Sequence, residues 1–73
     1  MTDIDRLLRH AARQSIEGLE AARAPVDPDK VAERVVYAHH HLTSVRAHRA
    51  ELLVKIADYV RELRATRQGD DNQ

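Results

Sequence analysis

The sequence predicts an all-α fold, an antiparallel helical hairpin that dimerises into a four-helix bundle or a coiled coil. The first observation is an apolar seven-residue repeat that runs from Val31 to Leu63 without a glycine or proline. The second is an amphipathic segment before residue 24, and the third is a single proline-containing turn between the two. The chain has 73 residues and no cysteine, so a partner subunit is the natural way to enlarge its small core.

The first helix is predicted over about 3–23. Thr2 is placed as its N-cap, and Asp3 and Asp5 follow in the first turn, where they oppose the positive end of the helix dipole. A helix of this length spans roughly 30 Å. One of its faces carries the apolar and small residues Ile4, Leu8, Ala11, Ser15, Leu19 and Ala22.

The turn signal lies at Pro25 and Pro28, because each proline discourages helix at the residue before it. The second helix begins with Asp27 as N-cap and Pro28 at the first helical position. It is predicted to continue to about residue 67, a length of roughly 60 Å. Gly69 then favours a helix stop, so residues 1–67 form a single hairpin domain and residues 68–73 a disordered acidic tail.

The second helix is about twice as long as the first, so its C-terminal half has no partner within the predicted hairpin. Soluble proteins rarely leave a large apolar patch in water, and burying each large side chain contributes ~1.5–3 kcal/mol. This half is therefore predicted to be the surface for self-association or for docking of another protein. Its apolar residues are Leu52, Leu53, Ile56, Tyr59, Val60 and Leu63.

An alternative layout breaks the long helix near residues 42–44 and folds three helices into a monomeric bundle. Thr43 or Ser44 would cap the new helix, and the apolar half would then be covered by the chain itself. The continuous helix is preferred, because the site contains no glycine or proline and the repeat keeps its phase through it.

Arg49 is the one charged residue on the apolar seam, and it has two interpretations. In the first, its aliphatic stem packs while the guanidinium reaches water. In the second, it pairs with Asp3 or Asp5 at the far end of the first helix and sets the register of the hairpin.

The histidines are the residues that most suggest a metal site. His39, His40 and His41 are consecutive, so on a helix their side chains point about 100° apart and cannot converge on one ion. His10 would pass close to His41 in the hairpin, which makes this pair a weak candidate for an interhelical metal site. No metal or other cofactor is predicted.

Two arginine strips suggest an alternative function, nucleic-acid binding, in which a hairpin dimer contacts phosphates. Twelve basic side chains are balanced by twelve acidic ones, and two tyrosines are the only large aromatic residues, so phosphate attraction and base stacking are both limited. Tyr37 and Tyr59 are instead expected to pack at helix interfaces. The strips consist of Arg6, Arg9 and Arg13 in the first helix and Arg61, Arg64 and Arg67 in the second.

The sequence contains no Ser/His/acid set, glycine-rich phosphate loop or paired-carboxylate cleft, so an enzyme is not predicted. The predicted function is a small protein-interaction or regulatory module that forms a homodimer or binds another protein through the C-terminal half of the long helix. The alternatives are a nucleic-acid-binding hairpin dimer and, less favoured, a small helical-bundle metal protein or enzyme. The absence of a signal peptide pattern and of an apolar run of roughly 20 residues predicts a cytoplasmic protein with no membrane span.

Overall fold

The computed structural model describes the backbone of residues 3–71 and the side chains of residues 3–66. The regular elements in this range are four helices, and the all-α prediction is confirmed. α2 packs against both α1 and α4, α1 also packs against α4, and the short α3 contacts α4. The helices are α1 (Asp3–Ala21), α2 (Pro28–Ala38), α3 (Thr43–Ala47) and α4 (Arg49–Asp71).

α1 ends two residues before its predicted limit, and its C-terminus is closed by the backbone. Arg23 adopts the left-handed conformation with φ of 57°. Its N–H donates to the carbonyl of Glu20 at 3.0 Å, and the Ala24 N–H donates to the carbonyl of Leu19 at 2.9 Å. These two bonds form a Schellman motif, which satisfies carbonyls that the helix would otherwise leave unpaired. The predicted N-cap, Thr2, lies outside the described residues.

The start of α2 follows the prediction. The side chain of Asp27 accepts a hydrogen bond from the backbone N–H of Asp29 at 3.0 Å, and Pro28 is the first helical residue. Asp27 itself is extended, with φ of −103° and ψ of 114°, as expected for an N-cap that precedes a proline.

The predicted continuous helix over 28–67 is wrong. α2 ends at Ala38, and residues 39–42 form a turn before α3 begins at Thr43. The break therefore lies just ahead of the 42–44 break in the alternative layout. Leu42 is the N-cap of α3, with extended backbone and no side-chain cap bond, so neither Thr43 nor Ser44 has the predicted capping role.

α4 is also longer than predicted at its C-terminal end. It continues through Gly69 to Asp71, so the expected stop at residue 67 is wrong. Residues 72 and 73 of the predicted tail lie outside the described part of the chain.

After the turn, α4 runs back along α2. Arg61, late in α4, contacts Asp29 at the start of α2 with an N···O distance of 3.1 Å. Arg49, at the start of α4, lines a depression together with Tyr37 near the end of α2. The core between the helices consists of Leu8, Ala12, Ile16, Val31, Ala32, Val35, Val36, Val45, Leu52, Ile56, Ala57 and Val60.

Candidate interaction surface

The apolar residues predicted to dock a partner lie inside the protein. Leu52, Ile56 and Val60 are 5, 2 and 0% exposed. Leu53, Tyr59 and Leu63 are half-buried and pack against the same core. The expectation that the chain leaves this half of the repeat uncovered is wrong, because the turn at 39–42 lets α1 and α2 cover it.

The outer stripe of α2, formed by Lys30, Glu33, Arg34 and Tyr37, faces solvent instead. Glu33 and Arg34 follow Lys30 by three and four residues, and Tyr37 follows Lys30 by seven, so the four residues share one side of the helix. The opposite side is buried. Tyr37 is 79% exposed, so the prediction that its ring packs at a helix interface is wrong.

An open groove of about 690 Å³ lies beside the outer stripe, between α1 and α2. Apolar groups line much of it, together with charged side chains that are exposed to solvent. The apolar residues are Leu19, Pro25, Val31 and Ala38, while the charged ones are Asp27, Lys30, Glu33 and Arg34. The groove therefore offers both a hydrophobic surface and charges of both signs.

Two smaller depressions lie on the other side of the stripe, between α2 and α4. The first, of about 250 Å³, is lined in part by Tyr37, Leu53 and Arg49. The second, of about 320 Å³, includes Val54, which is 63% exposed. Glu33 borders both depressions and the large groove. Tyr37 thus stands on a ridge with a concave surface on each side.

Arg49 is exposed at the first turn of α4. It lines the depression next to Glu33, Tyr37 and Leu53, on the side where α4 meets α2. The predicted pairing of Arg49 with Asp3 or Asp5, which would set the register of the hairpin, stays a prediction.

The arginine strips make contacts within the protein. The Arg61 guanidinium lies 3.1 Å from Asp29 and 3.2 Å from a carboxylate oxygen of Asp58. Arg64 lies 3.7 Å from Glu20 on α1.

The strip on α1 meets α4 at aromatic and apolar groups. The Arg9 guanidinium carbon is 5.4 Å from the centre of the Tyr59 ring, in cation–π range. Arg13 lines a small depression with Leu63 and Arg64, while Arg6 is exposed. The side chain of Arg67 lies outside the described residues. The half-buried ring of Tyr59 agrees with its predicted place at a helix interface.

Three of the five histidines, His39, His40 and His41, occupy the turn that ends α2. The Nδ1 atom of His39 lies 2.8 Å from the carbonyl oxygen of Val35, and the rings of His39 and His41 stack with centroids 6.3 Å apart. His10 and His41 are both exposed. Within the part of the chain that the structure describes, no group of three His, Cys, Asp or Glu side chains could hold a metal ion.

None of the helices between residues 3 and 71 combines the length and the apolar character required to cross a lipid bilayer. Comparisons with protein-family models, with curated proteins and with solved structures give no match to this chain. The surfaces described above are therefore the basis on which a function can be proposed.

Proposed function

We propose that this protein is a small, non-enzymatic interaction module, and that it binds a protein chain at the outer stripe of α2 and the groove beside it. The observation that carries this proposal is the exposed ring of Tyr37 on the border of that groove. Tyrosine is enriched at protein interfaces and among the residues that dominate binding energy, because it buries a large rigid ring at little cost in entropy.

A single exposed aromatic residue is ordinary, so its surroundings matter. Tyr37 lines the groove together with Leu19 and Val31. It also lines the depression on its other side, together with Leu53. Polar edges around an apolar centre are the usual composition of a protein interface. A partner helix or strand lying here would cover the ring and the groove together.

The environment of the charged groups favours binding over catalysis. Among residues 3–66, no polar or charged side chain is buried. Acids and bases that take part in catalysis are typically tuned by burial or by close partners, whereas those around this groove are exposed to water. The nucleic-acid alternative has less support, because Arg61 and Arg64 already contact carboxylates.

A photo-crosslinking experiment tests the proposal directly. A benzophenone amino acid replaces Tyr37 in one variant and Glu17, which is exposed on α1 away from the stripe, in a control variant. Illumination of cells that naturally make the protein should give covalent protein adducts from position 37 and far fewer from position 17. Equal yields from the two positions, or none from position 37, would refute binding at this surface.

A further inference from the structure

The outer stripe of α2 has a charge order that is complementary to itself. Going along the helix, Lys30 is followed by Glu33, Arg34 and Tyr37. Two copies of α2 can lie antiparallel, related by a two-fold axis that passes between Glu33 and Arg34. Glu33 of each copy then faces Arg34 of the other copy. In the same register Lys30 faces Tyr37, and a cation can stack on that ring.

We propose that the partner of this surface is a second copy of the same chain, held by antiparallel pairing of the α2 stripes. This inference rests on the proposed function and identifies the partner that binds at this surface. Tyr37 of each copy then enters the groove of the other copy at the level of Lys30, next to Leu19 and Pro25.

The distances along the helix fit this arrangement. Lys30 and Tyr37 are seven residues apart, or about 10.5 Å along the axis, which is two turns. The groove extends beside α2 from Pro25 to Ala38, so both ends of the stripe border it. A ring placed opposite Lys30 therefore meets the end of the groove where Leu19, Pro25 and Val31 supply apolar contact.

The charges also select the direction of pairing. A two-fold axis parallel to the helices would bring Glu33 against Glu33 and Arg34 against Arg34. Like charges placed together at an interface are strongly unfavourable, whereas the antiparallel register makes two opposite-charge pairs.

The expected dimer is weak. α2 has 11 residues, so the paired helices are only about 16 Å long and their interface lies at the small end of specific complexes. A dissociation constant on the order of 100 µM is reasonable for such a contact. Association should consequently be measured over a range from about 10 µM to about 1 mM.

Sedimentation equilibrium with charge-swapped variants tests the register. In the Glu33→Arg variant, positions 33 and 34 are both arginine, so arginines of one copy face arginines of the other. In the Arg34→Glu variant, both positions are glutamate, so glutamates face glutamates. Each single variant should dimerise at least about tenfold more weakly than the original chain. An equal mixture of the two variants should regain association, as should the double variant, because opposite charges again face each other.

Glu17→Arg provides the matched control, since it makes the same charge change at an exposed position away from the stripe and should leave association unchanged. Circular dichroism establishes that each variant is folded. Self-pairing is overturned if the original chain stays monomeric at the highest concentration, if the single swaps associate as well as it does, or if the mixture fails to recover.

The two proposals fail in different ways. A monomeric chain whose position 37 crosslinks to other proteins removes the self-pairing and leaves the interaction surface in place. A monomeric chain that gives no adducts at position 37 removes both. Adducts between position 37 and peptides from the Leu19–Pro25 end of a second copy would support both.

Discussion

The Nδ1 atom of His39 lies 2.8 Å from the main-chain carbonyl oxygen of Val35, one turn back along α2. With Nδ1 protonated, the ring donates to a carbonyl that has no helical partner once the chain turns. The backbone N–H groups of His39 and His40 reach the carbonyls of Val36 and Tyr37 at 3.2 and 3.1 Å. The side chain thus helps to close α2 at a point where the chain has no glycine or proline.

We expect His39→Ala to destabilise the protein, because the Val35 carbonyl loses its donor. A hydrogen bond of this kind contributes about 0.5–1.5 kcal/mol, and urea unfolding measured by circular dichroism would detect the loss. His10→Ala is the control, since His10 is exposed within α1 and its replacement should change stability by less than about 0.5 kcal/mol. Equal effects of the two substitutions would show that the His39 contact does not stabilise the turn.

The burial of the apolar repeat within the chain can be tested at Ile56, a core residue that is 2% exposed. Ile56→Ala should lower the free energy of unfolding by about 2–5 kcal/mol, through lost burial and the cavity left behind. A chain of this size has a total stability of only about 4–11 kcal/mol, so a large part of the population could unfold.

Val54→Ala, two residues away, is the matched comparison, because Val54 is 63% exposed. Its effect should stay below about 0.5 kcal/mol. If Ile56 instead lay on an exposed docking surface, as the sequence alone suggests, Ile56→Ala would weaken association while the helical content and the unfolding midpoint stayed the same.

Two features of the fold could be predicted from the sequence because their signals are local. The acidic first turn and apolar periodicity of α1 identify that helix, and Asp27 followed by Pro28 identifies the start of α2. The break after Ala38 could not be predicted in the same way. It depends on a side-chain bond from His39 and on the burial of α4 against helices distant in sequence.

The seven-residue repeat could not distinguish the two layouts, because apolar spacing does not show whether the same chain or a second chain covers the seam. Val45 and Leu52 lie on the predicted seam and are core residues here, although they belong to different helices. The repeat did underestimate the buried face of α2, where Ala32 and Val36 join Val31 and Val35. Two helices pack on α2, so its buried face is wider than a coiled-coil seam.

The exposure of Tyr37, in contrast, could be predicted from the sequence. It is two residues from Val35 and six from Val31, which places it on the opposite side of α2 from both. The prediction that Tyr37 packs at a helix interface followed from the apolar character of its ring and not from this periodicity. The groove beside it could not be predicted, because its walls come from α1, the connecting turn and α2 together.

The turn at 39–42 predicts a distance that differs sharply between the two layouts. Spin labels on cysteines that replace Lys30 and Glu62 would be about 48 Å apart along one continuous helix. In the folded chain these exposed positions lie next to the contacting pair Asp29 and Arg61, so the distance should be less than half as long. The absence of native cysteine makes the labelling specific.

Pulsed electron paramagnetic resonance measures this distance, with excess unlabelled protein added so that only distances within one chain contribute. Labels at Glu51 and Glu62 serve as the control, because both lie on α4 and should be about 16 Å apart in either layout. A distance near 48 Å for the first pair, with the control unchanged, would restore the continuous helix.

The left-handed backbone at Arg23 gives a prediction of the opposite sign, a substitution that stabilises. A residue with a Cβ pays roughly 1–2 kcal/mol in this conformation, whereas glycine adopts it freely and is common at this position of a helix terminus. Glycine also gains entropy in the unfolded chain, so Arg23→Gly should raise stability by a net ~0.5–1 kcal/mol. Ala22→Gly is the control, since Ala22 has no positive φ and should show a loss. Thermal unfolding measures both, and a lower midpoint for Arg23→Gly would contradict the Schellman geometry at the end of α1.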